Sequence, residues 1–255
     1  MDLGLTDRVY VLTGASRGLG YATAECLVAD GARVVLSARD ADAVTAAAQR
    51  LGGPERAVGL TADLADPETP ERLVAAAREH FGRLDGALVS VGGPPPGNAA
   101  SVSDAQWRHS FETVFLGTVR MVRTVAGHLA EGEGGAVGLV LSTSVRSPVP
   151  GLGISNALRP GLAGMAKDVA DEYGPRGVRV VGLLPGRIMT DRNVELFAAT
   201  GDPERARAEA EAAIPLRRIG APAEFGRVAA FVLSPAASYL TGVTVPVDGG
   251  VLRGL

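Results

Sequence analysis

Eight residues near the N-terminus, Thr13-Gly14-Ala15-Ser16-Arg17-Gly18-Leu19-Gly20, have the types and spacing to grip a diphosphate. Holding that group takes backbone amides at close range, aimed by the N-terminus of a helix. Glycines at 14, 18 and 20 allow a tight turn, close approach of the backbone to the ligand, and contact between helix and strand. Such a pattern carries little weight alone. Here it lies between a β-branched run at 9–12 and an alanine-rich helical run at 19–30, the context that a dinucleotide site requires. Ser16, Arg17 and Leu19 fill the remaining places of the turn and join the glycines as expected cofactor contacts. The bland alternative is an ordinary glycine-rich loop between a strand and a helix.

Charge selects the dinucleotide. A carboxylate ending the second strand would bind the ribose 2′-hydroxyl of NAD. That strand instead ends Leu36-Ser37-Ala38-Arg39, with no acid before Asp40. Arg39 and Arg17 can both reach a 2′-phosphate, and a forked guanidinium suits that group. NADP(H) is therefore preferred over NAD(H). In the alternative, Arg39 is a solvated loop residue and Asp40 turns inward.

These groups need a scaffold that gathers strand ends at one edge. Short apolar runs at 9–12, 33–37, 56–60, 86–89, 138–141, 179–184 and 244–246 alternate with helical stretches at 19–30, 41–51, 68–81, 103–130, 157–174 and 223–233. Strands apolar throughout are buried on both faces, and parallel pairing requires crossover helices. The pattern predicts an α/β chain: one Rossmann domain over 1–255, with a doubly wound parallel sheet of about seven strands. Pro94-Pro95-Pro96 marks a loop past the fourth strand. The charged, alanine-rich stretch 190–216 predicts a pair of short helices over the sheet's carboxyl edge, a small substrate lid.

Composition bounds the function. With 46% hydrophobic and 21% charged residues and a net charge of −3, the chain reads as soluble and globular, with no sign of a nucleic-acid or membrane partner. Cys26 is the single cysteine, which excludes disulfide frameworks and thiolate metal clusters; no metal site is expected. No apolar run reaches the ~18–20 residues of a membrane span, and the N-terminus lacks signal-peptide character. A cytoplasmic location is the expectation. Lys167 is the only lysine, so any mechanism needing an amine has no other.

Several motifs carry a family likeness along essentially the whole chain. Residues 13–20, Asp63-Leu64 after the third strand, Pro185-Gly186 followed by Thr190, and Tyr239-Leu240-Thr241-Gly242 with Val247-Asp248-Gly249-Gly250 resemble the ordered motifs of short-chain dehydrogenases/reductases. The resemblance implies a seven-stranded sheet that assembles as a homotetramer or homodimer. It implies adenine contacts from Asp63 and Leu64, and contacts near the nicotinamide from Gly92, Pro185, Gly186, Ile188 and Thr190. The family's active site uses a Ser, a Tyr, a Lys four residues beyond it, and an Asn on the preceding helix. Alignment puts Ser155 in the Tyr place and Arg159 in the Lys place. Counting back the family's spacing lands on Ser142, and the Asn place holds Val114. The combination of Gly92-Gly93-Pro94-Pro95-Pro96-Gly97 with Ser155-Asn156-Ala157-Leu158-Arg159 is similar to a divergent subgroup labelled oxidoreductases or 3-oxoacyl-carrier-protein reductase-like proteins.

A serine hydroxyl is a far poorer acid than a phenol of pKa near 10, so Ser155 is a weak proton donor. Arg159 keeps its charge, binds the ribose or steadies an oxyanion, and exchanges no proton. Ser142 and Ser144 can hydrogen-bond a substrate oxygen. Three readings follow. The first is an NADP(H)-dependent oxidoreductase with a rearranged site, acting on a ketone or an acyl- or polyketide-like carbonyl compound. The second is an NADP(H)-binding sensor or scaffold without turnover. The third is an isomerase, dehydratase or cyclase on the same fold. His80, His109 and His128 lack metal-ligand spacing, and Cys26 is expected to be buried and inert.

Overall fold

The computed structural model describes residues 2–198 and 200–254. Seven strands, β1 (Val9–Thr13), β2 (Arg33–Ala38), β3 (Ala57–Thr61), β4 (Gly86–Val89), β5 (Gly135–Val140), β6 (Val178–Pro185) and β7 (Val243–Val247), form one sheet in the order β3-β2-β1-β4-β5-β6-β7. Every pairing is parallel. All five residues of β1 and all four of β4 are buried. Strand order reverses direction between β1 and β4, which opens a crevice beyond their carboxyl ends where α/β sheets take ligands.

Helices cover both faces. On one lie α1 (Gly18–Ala29), α2 (Ala41–Arg50) and α9 (Pro222–Leu233), whose Leu27, Val44 and Phe225 pack with Leu12 and Leu36. On the other lie α3 (Thr69–Phe81), α5 (Gly117–Ala130) and α6 (Gly153–Tyr173), whose Leu73, Met121 and Leu162 pack with Val11 and Leu139. α1 and α9 meet closely because Gly226 has no side chain: a Cβ there would collide with the Ala22 carbonyl. Gly226→Ala should therefore lower the unfolding free energy by about 1–3 kcal/mol, the usual penalty of overpacking. A shift in denaturant midpoint checks it; an unchanged midpoint would mean the two helices separate freely.

The structure departs from the sequence reading at several points. α6 begins at Gly153, four residues before the expected helix. β5 begins at Gly135, three residues before the expected strand. The long helix expected over 103–130 is α4 (Asp104–Ser110), a π-helical stretch (Phe111–Leu116) and α5. The widened turn carries Val114 inward, 3% exposed, against Ile154 and Leu158. Cys26 is half-buried rather than buried; partial desolvation still pushes its thiol pKa up.

Two short helices, α7 (Asp191–Ala198) and α8 (Pro203–Ala213), fill the 190–216 stretch, with Phe197, Ile214 and Ile219 as their own small core. Among the described residues no helix is long and apolar enough to cross a membrane, and no cluster of His, Cys, Asp or Glu has metal-binding geometry.

Candidate active site

The site begins where β1 runs into α1. Gly14 and Gly18 hold φ of 57° and 63°, which side chains strongly disfavour. A Cβ on Gly14 would stand 2.7 Å from the Ser90 carbonyl, and one on Gly20 2.7 Å from the Gly14 carbonyl. Gly14 and Gly20 are thus demanded by close approach, and Gly14 and Gly18 by positive φ. The turn is braced from outside. Thr13 donates its hydroxyl to the Ser90 carbonyl at 2.7 Å and accepts the Ser90 amide at 2.9 Å, and the Ala15 amide donates to the Ser37 carbonyl at 3.1 Å. Arg17 precedes α1 with extended backbone and no side-chain cap. The first amides of α1, unpaired within the helix, face the turn. This cradle fits a diphosphate.

The end of β2 lies beside it. The Asp40 carboxylate caps α2, accepting the Ala43 amide at 2.9 Å. It is therefore committed to the helix rather than turned inward to a ribose. Arg39 is exposed next to it. Arg17 lies 3.8 Å from both Asp191 and Glu195 of α7, tying the glycine turn to the 190–216 stretch. Asp63 is exposed and accepts the Ala65 amide at 3.0 Å, while Leu64 is 9% exposed. Past β6, the Gly186 amide donates to the Val247 carbonyl at 3.0 Å. A Cβ on Gly186 would fall 2.7 Å from the Asp248 Cα. Ile188 is 3% exposed and bridges to Gly220, and the Thr190 methyl comes within 3.8 Å of where a Gly18 Cβ would lie. The Pro-Gly segment therefore reaches back over the glycine turn.

The reaction corner lies at the ends of β5 and α6. Ser144 and Ser155 are 2% and 6% exposed, with their hydroxyls 3.3 Å apart. Ser142 plays a different part. Its hydroxyl accepts the Ser144 amide at 3.1 Å and caps the short 3-10 turn Thr143–Val145. The geometry thus pairs Ser155 with Ser144, whereas spacing pointed to Ser142. One turn further along α6, Arg159 is 5% exposed and donates from Nη1 to the Val140 carbonyl at 2.6 Å. Burial, and then the nearby charge of Arg192, hold its pKa down to about 10, so it remains a cation at neutral pH.

Two further residues build this corner and were not singled out by sequence. The Asn156 carboxamide accepts the Val149 amide at 3.0 Å and donates to the Val149 carbonyl at 2.9 Å, pinning the 145–152 loop to α6. Its place in the Ser-Asn-x-x-Arg pattern was the available signal. Arg192 of α7 donates to the Gly93 and Pro94 carbonyls, both at 3.3 Å; no local pattern announces it. Gly92 is exposed in the same loop. That loop docks on the start of α6, with the Gly97 amide on the Gly151 carbonyl at 2.7 Å and the Gly153 amide on the Gly97 carbonyl at 2.8 Å.

The four tyrosines all lie elsewhere. Tyr10 is buried in the sheet with its hydroxyl on the Leu233 carbonyl at 3.4 Å, and burial pushes its pKa up. Tyr21 lies beneath Arg50 and Tyr173 beneath Arg176, and Tyr239 is fully exposed. Lys167 is exposed and paired with Asp171 at 2.6 Å. His80 and His109 are exposed, and His128 meets Glu71 at 2.8 Å on the surface.

Comparison with known proteins agrees with this architecture. The sequence profile of a family described as Enoyl-(Acyl carrier protein) reductase matches residues 14–252. An uncharacterised oxidoreductase of Mycobacterium tuberculosis is 36% identical over 250 residues, which cover 97% of this chain and 93% of that one. Dehydrogenase/reductase SDR family member 4 of Bos taurus is 34% identical, over 98% of this chain and 89% of its own. The crystal structure of L-sorbose reductase from Gluconobacter frateurii, complexed with NADPH and L-sorbose, superposes with a TM-score of 0.94 at 28% identity over the whole of both chains.

Proposed function

Since the chain belongs to the short-chain dehydrogenase/reductase family and is an oxidoreductase of that type, we propose that it uses NADP(H) to interconvert a small carbonyl compound and its alcohol at a site lacking the family's phenol and amine. The observation that carries this reading is the three-glycine cradle beside an exposed Arg39, with Asp40 committed to capping α2. The relative solved with NADPH and a ketose supports the same cofactor and carbonyl chemistry.

NADP(H), when bound, supplies or accepts the hydride. The chain's residues do the rest. The amides after Gly14 and at the start of α1 hold the diphosphate, and Arg39 with Arg17 reads the 2′-phosphate. Asp63 and Leu64 border the adenine. Gly92, Pro185, Gly186, Ile188 and Thr190 shape the nicotinamide end. Ser144 and Ser155 donate hydroxyl hydrogens to the substrate oxygen, and the Arg159 cation binds the ribose and stabilises negative charge as it develops there. The proton comes from water or from the substrate, because neither serine is acidic enough to yield it. α7 and α8 act as the substrate lid, with Arg17 as the link between lid and glycine turn.

Arg39→Asp tests the cofactor assignment. NADPH affinity should fall about tenfold or more, since a hydrogen bond to a charged group contributes roughly 1.5–3 kcal/mol, and NADH affinity should rise. Unchanged NADPH affinity, measured by fluorescence titration, would remove the basis for NADP(H).

A second reading is favoured by the placement of all four tyrosines away from Ser155. With no phenol at hand, the protein would bind NADP(H) without turning it over. Tight NADPH binding with no oxidation across a panel of ketones and diketones would select it.

A further inference from the structure

We propose that Arg159 and Arg192 form a receptor for a carboxylate on the substrate, so that the compound handled is an oxo acid or hydroxy acid. The proposal rests on the NADP(H) reading and names the substrate class of that site.

A guanidinium carries five N–H donors and one fixed charge. Buried charges are ordinarily paired. Arg159 is 5% exposed, yet its one protein partner is the Val140 carbonyl, which is neutral. Among the described residues no carboxylate lies within ion-pairing distance of it, and none of its other nitrogens is sealed off without a partner. Its remaining donors and its charge are thus answered by no protein group among the described residues.

Arg192 supplies the second cation. It reaches from α7 to the Gly93 and Pro94 carbonyls through two long bonds of 3.3 Å. The nearest acids on its helix, Asp191 and Glu195, stand beside Arg17 instead. Arg192, though exposed, stands close enough for its charge to act on the buried Arg159, and no acid among the described residues pairs with either. Ser155, one turn before Arg159 on α6, and Ser144 add neutral hydroxyls to this corner. A carboxylate, whose two oxygens accept forked arginine bonds, relieves the repulsion and satisfies the donors together. The cofactor's anionic groups are already served by the glycine turn, Arg17 and Arg39.

The test uses acetoacetate and 2-oxobutyrate against their methyl esters, titrated calorimetrically into the NADPH-saturated protein. Quenching of the single tryptophan, Trp107, which packs beside Val114, Ile154 and Leu158, gives a second readout. The acids should bind about tenfold or more tighter than the esters. Arg192→Ala should abolish that preference and leave the NADPH Kd within about twofold. Gly93→Ala should do the same with Arg192 still present. Its Cβ would lie 2.6 Å from the Arg192 guanidinium carbon, the end of a flexible side chain that can be displaced without disturbing the fold.

Equal binding of acid and ester, or binding of neither, overturns the proposal while intact NADPH affinity preserves the reductase reading. A tenfold loss of NADPH affinity in Arg192→Ala also overturns it, because the arginine would then serve the cofactor's phosphates. If NADPH fails to bind at all, the reductase reading falls first, and the acid-over-ester preference of the free protein still decides the receptor.

Discussion

Restoring a phenol and an amine to the reaction corner, with Ser155→Tyr and Arg159→Lys together, should raise NADPH-dependent ketone reduction by about 10²–10⁴, the usual contribution of a positioned general acid. The serine hydroxyl cannot yield a proton at neutral pH, whereas a phenol beside an ammonium group can. The position suits the exchange. Ser155 lies in the first turn of α6 beside Ser144, which stays to hydrogen-bond the substrate oxygen. Neither single change should suffice: Tyr without Lys lacks the cation that tunes it, and Lys without Tyr has nothing to tune. The gain is therefore strongly non-additive, and single-turnover rates with saturating NADPH measure it. A double variant that folds, binds NADPH and reacts no faster than its parent would show that the missing acid does not limit this protein.

What the sequence made legible was whatever depends on backbone geometry or on uniform burial. The glycines at 14, 18 and 20 could be read because each meets a requirement no other residue satisfies, two by positive φ and one by collision with the Gly14 carbonyl. The inner strands could be read because both sheet faces are covered there, which makes them continuously apolar. The early start of β5 was hidden because Gly135 and Gly138 interrupt the apolar run, and strand pairing, a long-range property, overrides them. The π-helical turn was hidden because its cause is the tertiary contact of Val114 with Ile154 and Leu158.

The site divides along the same line. Residues proposed to hold the cofactor through their backbone follow a motif. Those that meet through space do not. Counting residues back from Ser155 reaches Ser142, which caps the 3-10 turn; that the turn also brings the Ser144 hydroxyl to Ser155 is a contact that no residue count predicts. Arg192 is one arginine among many on an exposed helix, and only its contacts with Gly93 and Pro94 distinguish it.

Arg159→Met should move stability and binding in opposite directions. The fold holds the Arg159 pKa at about 10, below the ordinary 12.5, so it disfavours the charged form. For a base with a depressed pKa that penalty is fully present below pH 10 and is relieved as pH rises from about 10 to 12.5. At neutral pH it amounts to about 3 kcal/mol, at 1.36 kcal/mol per pKa unit. Methionine of similar length removes the charge but leaves the Val140 carbonyl without its donor, a loss of about 1 kcal/mol. The free variant should therefore be more stable by about 2 kcal/mol, a rise in Tm of several degrees for a chain of this size. NADPH affinity should meanwhile fall about tenfold. Saturating NADPH should narrow the gap in melting temperature, because ligand stabilisation grows with the logarithm of ligand concentration over Kd and a tenfold weaker Kd forfeits about 1.4 kcal/mol. A lower Tm for the free variant would mean that the crevice already neutralises Arg159, and the argument that its charge awaits a ligand would fail. A higher Tm with weakened binding would identify a cation that the fold tolerates only for what it holds.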